Sequence, residues 1–261
     1  MTVQTSVDHK IIWNEVHVKD LEAAISFYGQ LFGWTIREEE RETYLHFYLG
    51  DKAVAGLMAD VEDGGAPPMW QVYVGTSDID AYVERAKAAG QTEVTPLMDI
   101  PHTGKIQILA DTEGALLAPF QPAGANTGDG PSAEPGHFCW VELLCRDQAA
   151  AVEHYRRVVG WETIDMDMGG VTYTMFVPPG GGQMDAIGGA MQMPPEAQGP
   201  SAWMGYVSVE DVDATTAKAV ELGATVFVEP TNAGEAGRFS VLADPQGAAF
   251  AIWKSMGSCE E

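Results

Sequence analysis

The chain has 261 residues, 46 % apolar and 20 % charged, enough for one large domain or two ordinary ones with a real core. Fourteen Lys and Arg stand against 38 Asp and Glu, a formal charge of −24, which excludes nucleic acid and anionic membrane as main partners because both need clustered basic residues. Three cysteines without CxxC spacing make neither a disulfide framework nor a zinc knuckle. The opening MTVQTSVDHK lacks the apolar stretch of a signal peptide and no run is long enough to cross a bilayer, so a cytoplasmic location is expected.

The first element, IIWNEVHV, alternates and is rich in β-branched residues, so it reads as a strand. Asp20 is a good N-cap for a helix in which Leu21, Ala24, Ile25, Tyr28, Leu31 and Phe32 recur at helical spacing until Gly33. WTIREEE, TYLHFYLG and AVAGLMA follow as strands, giving a βαβββ unit. MWQVYVGT opens a second unit with a helix ending at Gly90, then strands in QTEVTPL, GKIQILA and ALLAPFQ. PAGANTGDGPSAEPG, 122–136, is rich in Pro and Gly without periodicity and reads as a linker. The order then repeats from HFCWVELLC, with helices ending at Gly160 and Gly223.

The repetition extends to identities. Trp13, Glu15, Asp20, Tyr28, Gly33 and Trp34 recur as Trp140, Glu142, Asp147, Tyr155, Gly160 and Trp161, 127 positions on. Trp70, Tyr73, Gly90, Asp111 and Gly114 recur as Trp203, Tyr206, Gly223, Asp244 and Gly247. The expected architecture is therefore α+β: four βαβββ units in two modules, 8–121 and 137–256, with curved mixed sheets enclosing a cavity suited to a small molecule.

The segments VKDLEAAISFYGQLFGW and RDQAAAVEHYRRVVGW, with LADTEGA and LADPQGA, resemble the vicinal-oxygen-chelate superfamily of glyoxalases, bleomycin-resistance proteins and extradiol dioxygenases. The likeness is to its tandem, actinobacterial type. It implies the fold strongly and the activity weakly, because such a fold serves metalloenzymes and binding proteins alike. Metal-dependent members draw ligands from the first and last strands of each unit. Carried over, those positions fall on Trp13, about Gly56, Gln71 and Ala118, and on Trp140, about Gly189, Met204 and Ala251. Of these only Gln71 could ligate, so no metal and no cofactor are expected.

Strand alternation identifies what else would face the cavity. Trp13, Glu15 and His17 share a face, as do Tyr44, His46 and Tyr48, and as do Gln71 and Tyr73. In the second copy His17 becomes Leu144, His46 becomes Met175 and Gln71 becomes Met204, while Trp140 and Glu142 persist. The polar groups of a working site are thus expected in the first module. Glu15, His17 and His46 are the candidates for acid–base chemistry; Trp13, Tyr44, Tyr48, Gln71, Tyr73, Trp140 and Glu142 are the candidates for ligand contact. Structural roles stay open for each: carboxylates can hold backbone amides, histidines can be solvated and tyrosines can pack. The leading expectation is a protein that binds, and on one reading transforms, a small aromatic molecule, neutral or cationic, without a metal. The alternatives are a metal-free acid–base lyase or isomerase and a metal-dependent glyoxalase or extradiol-type dioxygenase. Oligomeric state is open.

Overall fold

Four aspartates start the helices. Asp20, Asp78, Asp147 and Asp211 each adopt an extended backbone and accept a side-chain hydrogen bond from the amide three residues on. Each cap satisfies a donor that the first turn cannot, which stabilises a helix by about 1 kcal/mol. The helices are α1 (Leu21–Phe32), α2 (Ile79–Ala88), α3 (Gln148–Val158) and α4 (Val212–Glu221). The computed structural model describes residues 7–37, 44–124, 130–195, 197 and 199–257.

Strands of the first half are β1 (Ile11–His17), β2 (Leu45–Leu49), β3 (Lys52–Met58), β4 (Met69–Gly75), β5 (Thr92–Glu93), β6 (Met98–Ile100), β7 (Gly104–Ile106), β8 (Leu109–Ala110) and β9 (Leu116–Pro122). Those of the second are β10 (Phe138–Cys145), β11 (Glu162–Asp167), β12 (Thr172–Val177), β13 (Gly188–Gln192), β14 (Ala202–Ser208), β15 (Thr225–Ala233), β16 (Gly237–Ala243) and β17 (Ala249–Ser255). They form two curved, mixed sheets. One runs β2-β3-β1-β4-β9-β7-β6, with β8 on β9 and β5 on β8; the other runs β11-β12-β13-β10-β14-β17-β16-β15. The α+β, repeated βαβββ architecture expected from the repeats is the one observed.

Three expected strands differ. Of WTIREEE, Thr35 makes a single bridge to Tyr48, and residues 38–40 lie outside the described residues. The pair QTEVTPL and GKIQILA breaks into β5, β6, β7 and β8, whereas its repeat keeps two continuous strands, β15 and β16, paired with two register shifts. Side chains cause the break. The Gln107 amide donates to the Thr95 carbonyl and to Glu93, and the Thr95 hydroxyl accepts from the Ile108 amide. Ladder bonds are thereby replaced by local ones.

The chain forms two compact units, each with its own core. One comprises Met1–Ile12, Val72–Gly130 and Val141–Trp203; the other comprises Trp13–Gln71, Pro131–Trp140 and Met204–Glu261. In the latter, Tyr28 of α1 is fully buried among Phe27, Trp34, Phe47, Trp70 and Phe250. Its hydroxyl donates to Asp244 at 2.9 Å and accepts from the Trp70 indole at 2.9 Å. The other unit repeats the arrangement: the Tyr155 hydroxyl donates to Asp111 at 2.8 Å and accepts from Trp203 at 2.9 Å.

Tyr28→Phe is expected to lower stability by roughly 1–3 kcal/mol, because it leaves a buried carboxylate oxygen and an indole N–H without their partner. Urea unfolding of Tyr28→Phe, Tyr155→Phe and the double variant measures this. Near-additive losses are expected, since the two triads lie in separate cores.

Candidate functional site

β1 is the floor of the candidate site. Val16 and Val18 point into the apolar core, so alternation turns Trp13, Glu15 and His17 to the opposite face. β1, β3 and β2 are neighbours in the sheet, and their registers align Glu15, Gly56 and His46 in one row across the three strands. His17 lies one row on, beside Met58.

Gly56 is the constrained member of the row. A Cβ there would run into the Tyr44 hydroxyl and would meet the Trp13 indole nitrogen at 2.9 Å. Only glycine leaves room for the phenol. The Trp13 indole donates to the Tyr44 hydroxyl at 2.9 Å, and that hydroxyl is hydrogen-bonded in turn to Glu15. Burial, then the Glu15 charge and the bond to it, raise the Tyr44 pKa, so the phenol keeps its proton. His46 packs edge-on to Tyr44 and Trp13, with ring centroids 4.9 and 5.9 Å away.

Tyr48 continues this wall, 6.1 Å from His46, but a register shift after Phe47 alters its setting. Its ring is 7 % exposed and carries the Arg37 guanidinium over one face at 3.8 Å. Gln71 is buried on β4, and Tyr73, two residues on, shares its strand face. Trp140 is half-buried on β10 and Glu142 is buried two residues later.

The ionisable centre is a chain of three groups. His17 Nε2 lies 3.0 Å from Glu15, and His17 Nδ1 lies 2.9 Å from both oxygens of Asp60. The Nδ1 contact is a well-formed hydrogen bond. The Nε2–H does not point squarely at its carboxylate, so that contact is an ion pair with a bent hydrogen bond. Burial opposes the charge on His17, but the hydrogen bonds and fields of Glu15 and Asp60 outweigh it, and the pKa is raised above 6.5. Glu15 is nearly enclosed, its side chain 5 % exposed, whereas that of Asp60 is 44 % exposed. The chain thus runs from solvent to a buried carboxylate.

The second sheet repeats the frame without the ionisable pair. Glu142, Gly189 and Met175 align across β10, β13 and β12, and a Cβ at Gly189 would run into the Tyr173 hydroxyl. Leu144 stands where His17 does. Met193 follows Gly189 at the offset at which Asp60 follows Gly56, though its amide donates to the Cys145 carbonyl as that of Val61, not Asp60, does to Val18. Asp60 was missed in the sequence because it belongs to no motif. Comparing the copies could have found it, since His17 and Asp60 become apolar together. Cys139 and Cys145 take no part as nucleophiles; burial pushes both thiols up to about 12.

A metal is poorly served here. Glu15 and Asp60 lie on opposite nitrogens of one imidazole and do not converge. Among the described residues no group of three His, Cys, Asp or Glu side chains could hold an ion.

The chain matches the model of the Glyoxalase/Bleomycin resistance protein/Dioxygenase superfamily over residues 10–118 and 136–252, and it belongs to that superfamily. It is 33 % identical over 248 residues to CFP32 of Mycobacterium tuberculosis, whose name assigns it provisionally to the glyoxylases, with 93 % of each chain covered. It is 31 % identical over 260 residues to the anthracycline biosynthesis protein DauV of a Streptomyces species, covering 92 % of this chain and 91 % of that one. The Mn(II)-bound glyoxalase from Novosphingobium aromaticivorans shares the fold with a TM-score of 0.63 at 16 % identity, covering 95 % of this chain and 82 % of the other. The 2,3-dioxygenase LapB from Pseudomonas sp. KL28 does so with a TM-score of 0.61 at 16 % identity, covering 98 % and 96 %. No described helix is long and apolar enough to cross a membrane.

A raised folded-state pKa means that charged His17 contributes stability that is fully present below pH 6.5 and lost as pH rises through the folded value. The stability margin of the wild type over His17→Leu is therefore expected to be larger at pH 6 than at pH 9. Urea midpoints across that range measure it.

Proposed function

We propose that this chain binds a small, flat organic molecule, neutral or cationic, on the Trp13–Tyr44–His46 face of the first sheet and does so without a metal ion. The observation that carries the reading is the Tyr44 hydroxyl seated over Gly56 and tied to Trp13 and Glu15. A phenol fills the place where a ligating side chain on β3 would have to stand. Trp13 and Tyr44 supply ring faces for stacking, and Tyr48, buried with Arg37 over its ring, backs them. Glu15 and His46 supply the few polar contacts that orient a ligand in an otherwise aromatic site. Gln71 on β4 extends this face, with Tyr73 beyond it on the same strand. Trp140 and Glu142 would line the corresponding, less polar face of the second sheet.

Two further facts support the ligand class. The kinship with an anthracycline biosynthesis protein fits a polycyclic aromatic compound. The net charge of −24 raises the local concentration of cations, and aromatic faces accept them. A second reading, acid–base catalysis by a lyase or isomerase, is favoured specifically by the 3.0 Å contact between Glu15 and His17.

Matched naphthalene probes test the ligand class. In calorimetric titrations, 2-naphthylmethylammonium and naphthalene-2-methanol are expected to bind more tightly than 2-naphthoate, with the cation's advantage shrinking as salt rises. Tightest binding by the naphthoate would overturn the reading. Gly56→Val should abolish binding by displacing Tyr44, and His46→Met, which copies the second sheet, should weaken it without unfolding the protein.

Elemental analysis tests metal independence. Protein purified without chelators is expected to carry well under one Zn, Fe, Mn or Ni per chain. Near one equivalent, lost on Glu15→Gln or His17→Leu, would replace this reading with a metalloenzyme.

A further inference from the structure

We infer that the groove between α2 and α3 is a second binding site, which takes the phosphate group of a small molecule on Arg85, Arg157 and His9. The groove has a volume of about 380 Å³, and Asp8, His9, Ser77, Arg85, Arg157 and Gly160 line it. These residues all belong to the unit made of Met1–Ile12, Val72–Gly130 and Val141–Trp203, whereas the Trp13–Tyr44–His46 face belongs to the other.

Two guanidinium groups meet at the end of α3. Arg85 reaches there from α2, and its Nε–H donates to the Val158 carbonyl at 3.2 Å. Its two terminal nitrogens have no protein partner among the described residues and stay available to a ligand. Arg157 precedes Val158, is exposed, and makes no hydrogen bond or ion pair among the described residues. The carboxylates of the groove are already engaged. Asp8 accepts from the Ser77 amide at 2.6 Å and the Ser77 hydroxyl at 2.9 Å, and Asp78 caps α2 through the Ala81 amide at 2.9 Å. Planar guanidinium forks match phosphate oxygens two at a time, and a pair of them balances a dianion.

His9 is the third member. Its backbone is left-handed, with φ of 68°, a conformation that disfavours any residue with a Cβ. Its Nδ1 lies 2.7 Å from the Val159 carbonyl, and its own carbonyl accepts from the Trp161 indole at 2.7 Å. Because Nδ1 faces a carbonyl it carries the hydrogen, so Nε2 is the nitrogen that takes up a proton when an anion arrives. The ring lies against Gly160, where a Cβ would stand 3.0 Å from it.

The repeat shows that the fold does not need these groups. Gly136 stands where His9 does: it is left-handed, with φ of 82°, and its carbonyl accepts from the Trp34 indole at 2.8 Å. Glycine is the residue that this conformation favours. Gln30 of α1 stands for Arg157 of α3, and α1 has no basic residue in its last turn. Glu210 precedes the cap Asp211 as Ser77 precedes Asp78. Lys218 keeps the charge of Arg85 but not its planar fork. In a chain of net charge −24, these differences all favour an anion at one groove, and one of them places a histidine where the backbone prefers glycine.

Inorganic phosphate is the probe. The backbone amides of His9, Val159 and Gly160 in the full chain are followed by 1H–15N NMR as phosphate is added at constant ionic strength and neutral pH. Saturable shifts with one common half-saturation are expected. Arg157→Gln and His9→Gly, which copy Gln30 and Gly136, should weaken phosphate about tenfold and about threefold without unfolding the protein. Arg156→Gln, which removes an exposed neighbouring charge paired with Glu153, should leave it unchanged. Acetate is expected to bind about tenfold more weakly than phosphate.

Shifts that do not saturate, or a loss in Arg156→Gln equal to that in Arg157→Gln, overturn the site and leave only diffuse attraction to surface charge. Acetate that binds as tightly as phosphate overturns the phosphate class. If Arg157→Gln or His9→Gly does not fold, Arg85→Lys decides. It keeps the charge and removes the fork, and an unchanged affinity there overturns the proposal.

Discussion

The structure depends on a tyrosine hydroxyl bound between an indole and a buried carboxylate, made twice. In each unit the tyrosine comes from a helix, the tryptophan from the start of a strand and the aspartate from a turn just before another strand. Asp244 also accepts from the amides of Gln246 and Ala248, and Asp111 from those of Glu113 and Ala115. One carboxylate thereby shapes its own turn and fixes the helix above it. The same turns reach further. The Gln246 side chain accepts from the Lys19 and Asp20 amides, and the Glu113 carboxylate from those of Arg146 and Asp147, at the starts of α1 and α3.

On that fixed frame, the two sheets show how little must change to alter chemistry. The Glu–Gly row with a phenol laid over the glycine is common to both, and so is the tryptophan two residues before the glutamate. Three ionisable side chains of the first face have apolar counterparts in the sequence of the second copy: Leu144 for His17, Met175 for His46 and Met193 for Asp60. Met175 is buried, and the other five side chains lie outside the buried core.

Much of this was legible in the sequence. The aspartate caps, the alternation on β1 and the helical spacing on α1 are local signals, and each element they imply is present. The repeated Tyr28, Trp70 and Asp111 were legible as register marks only. Which tyrosine meets which aspartate was not, because a repeated chain offers both pairings and periodicity is blind to the choice. Tyr28 takes Asp244 from the far copy and Tyr155 takes Asp111. The breaks between β5 and β8 depend on where Gln107 and Thr95 aim their polar atoms, which no pattern of apolar residues encodes. Asp60 stands in an acidic stretch that reads as solvated surface until its distance from His17 is known.

The exchanged pairing has a bearing on how the chain is made. Tyr155 and Asp111 are 44 residues apart, so their core can close while the rest of the protein is still being synthesised. Tyr28 and Asp244 are 216 residues apart, and α1 waits for almost the whole chain before its carboxylate and its amide partner Gln246 arrive. Closing so long a loop is slow, and the apolar face of α1 stays uncovered meanwhile. The segment Trp13–Gln71, which bears Glu15 and His17, is thus made early and finished late. A nascent chain stalled before residue 244 would expose Phe27, Tyr28 and Leu31 to whatever chaperone or neighbouring chain meets them first.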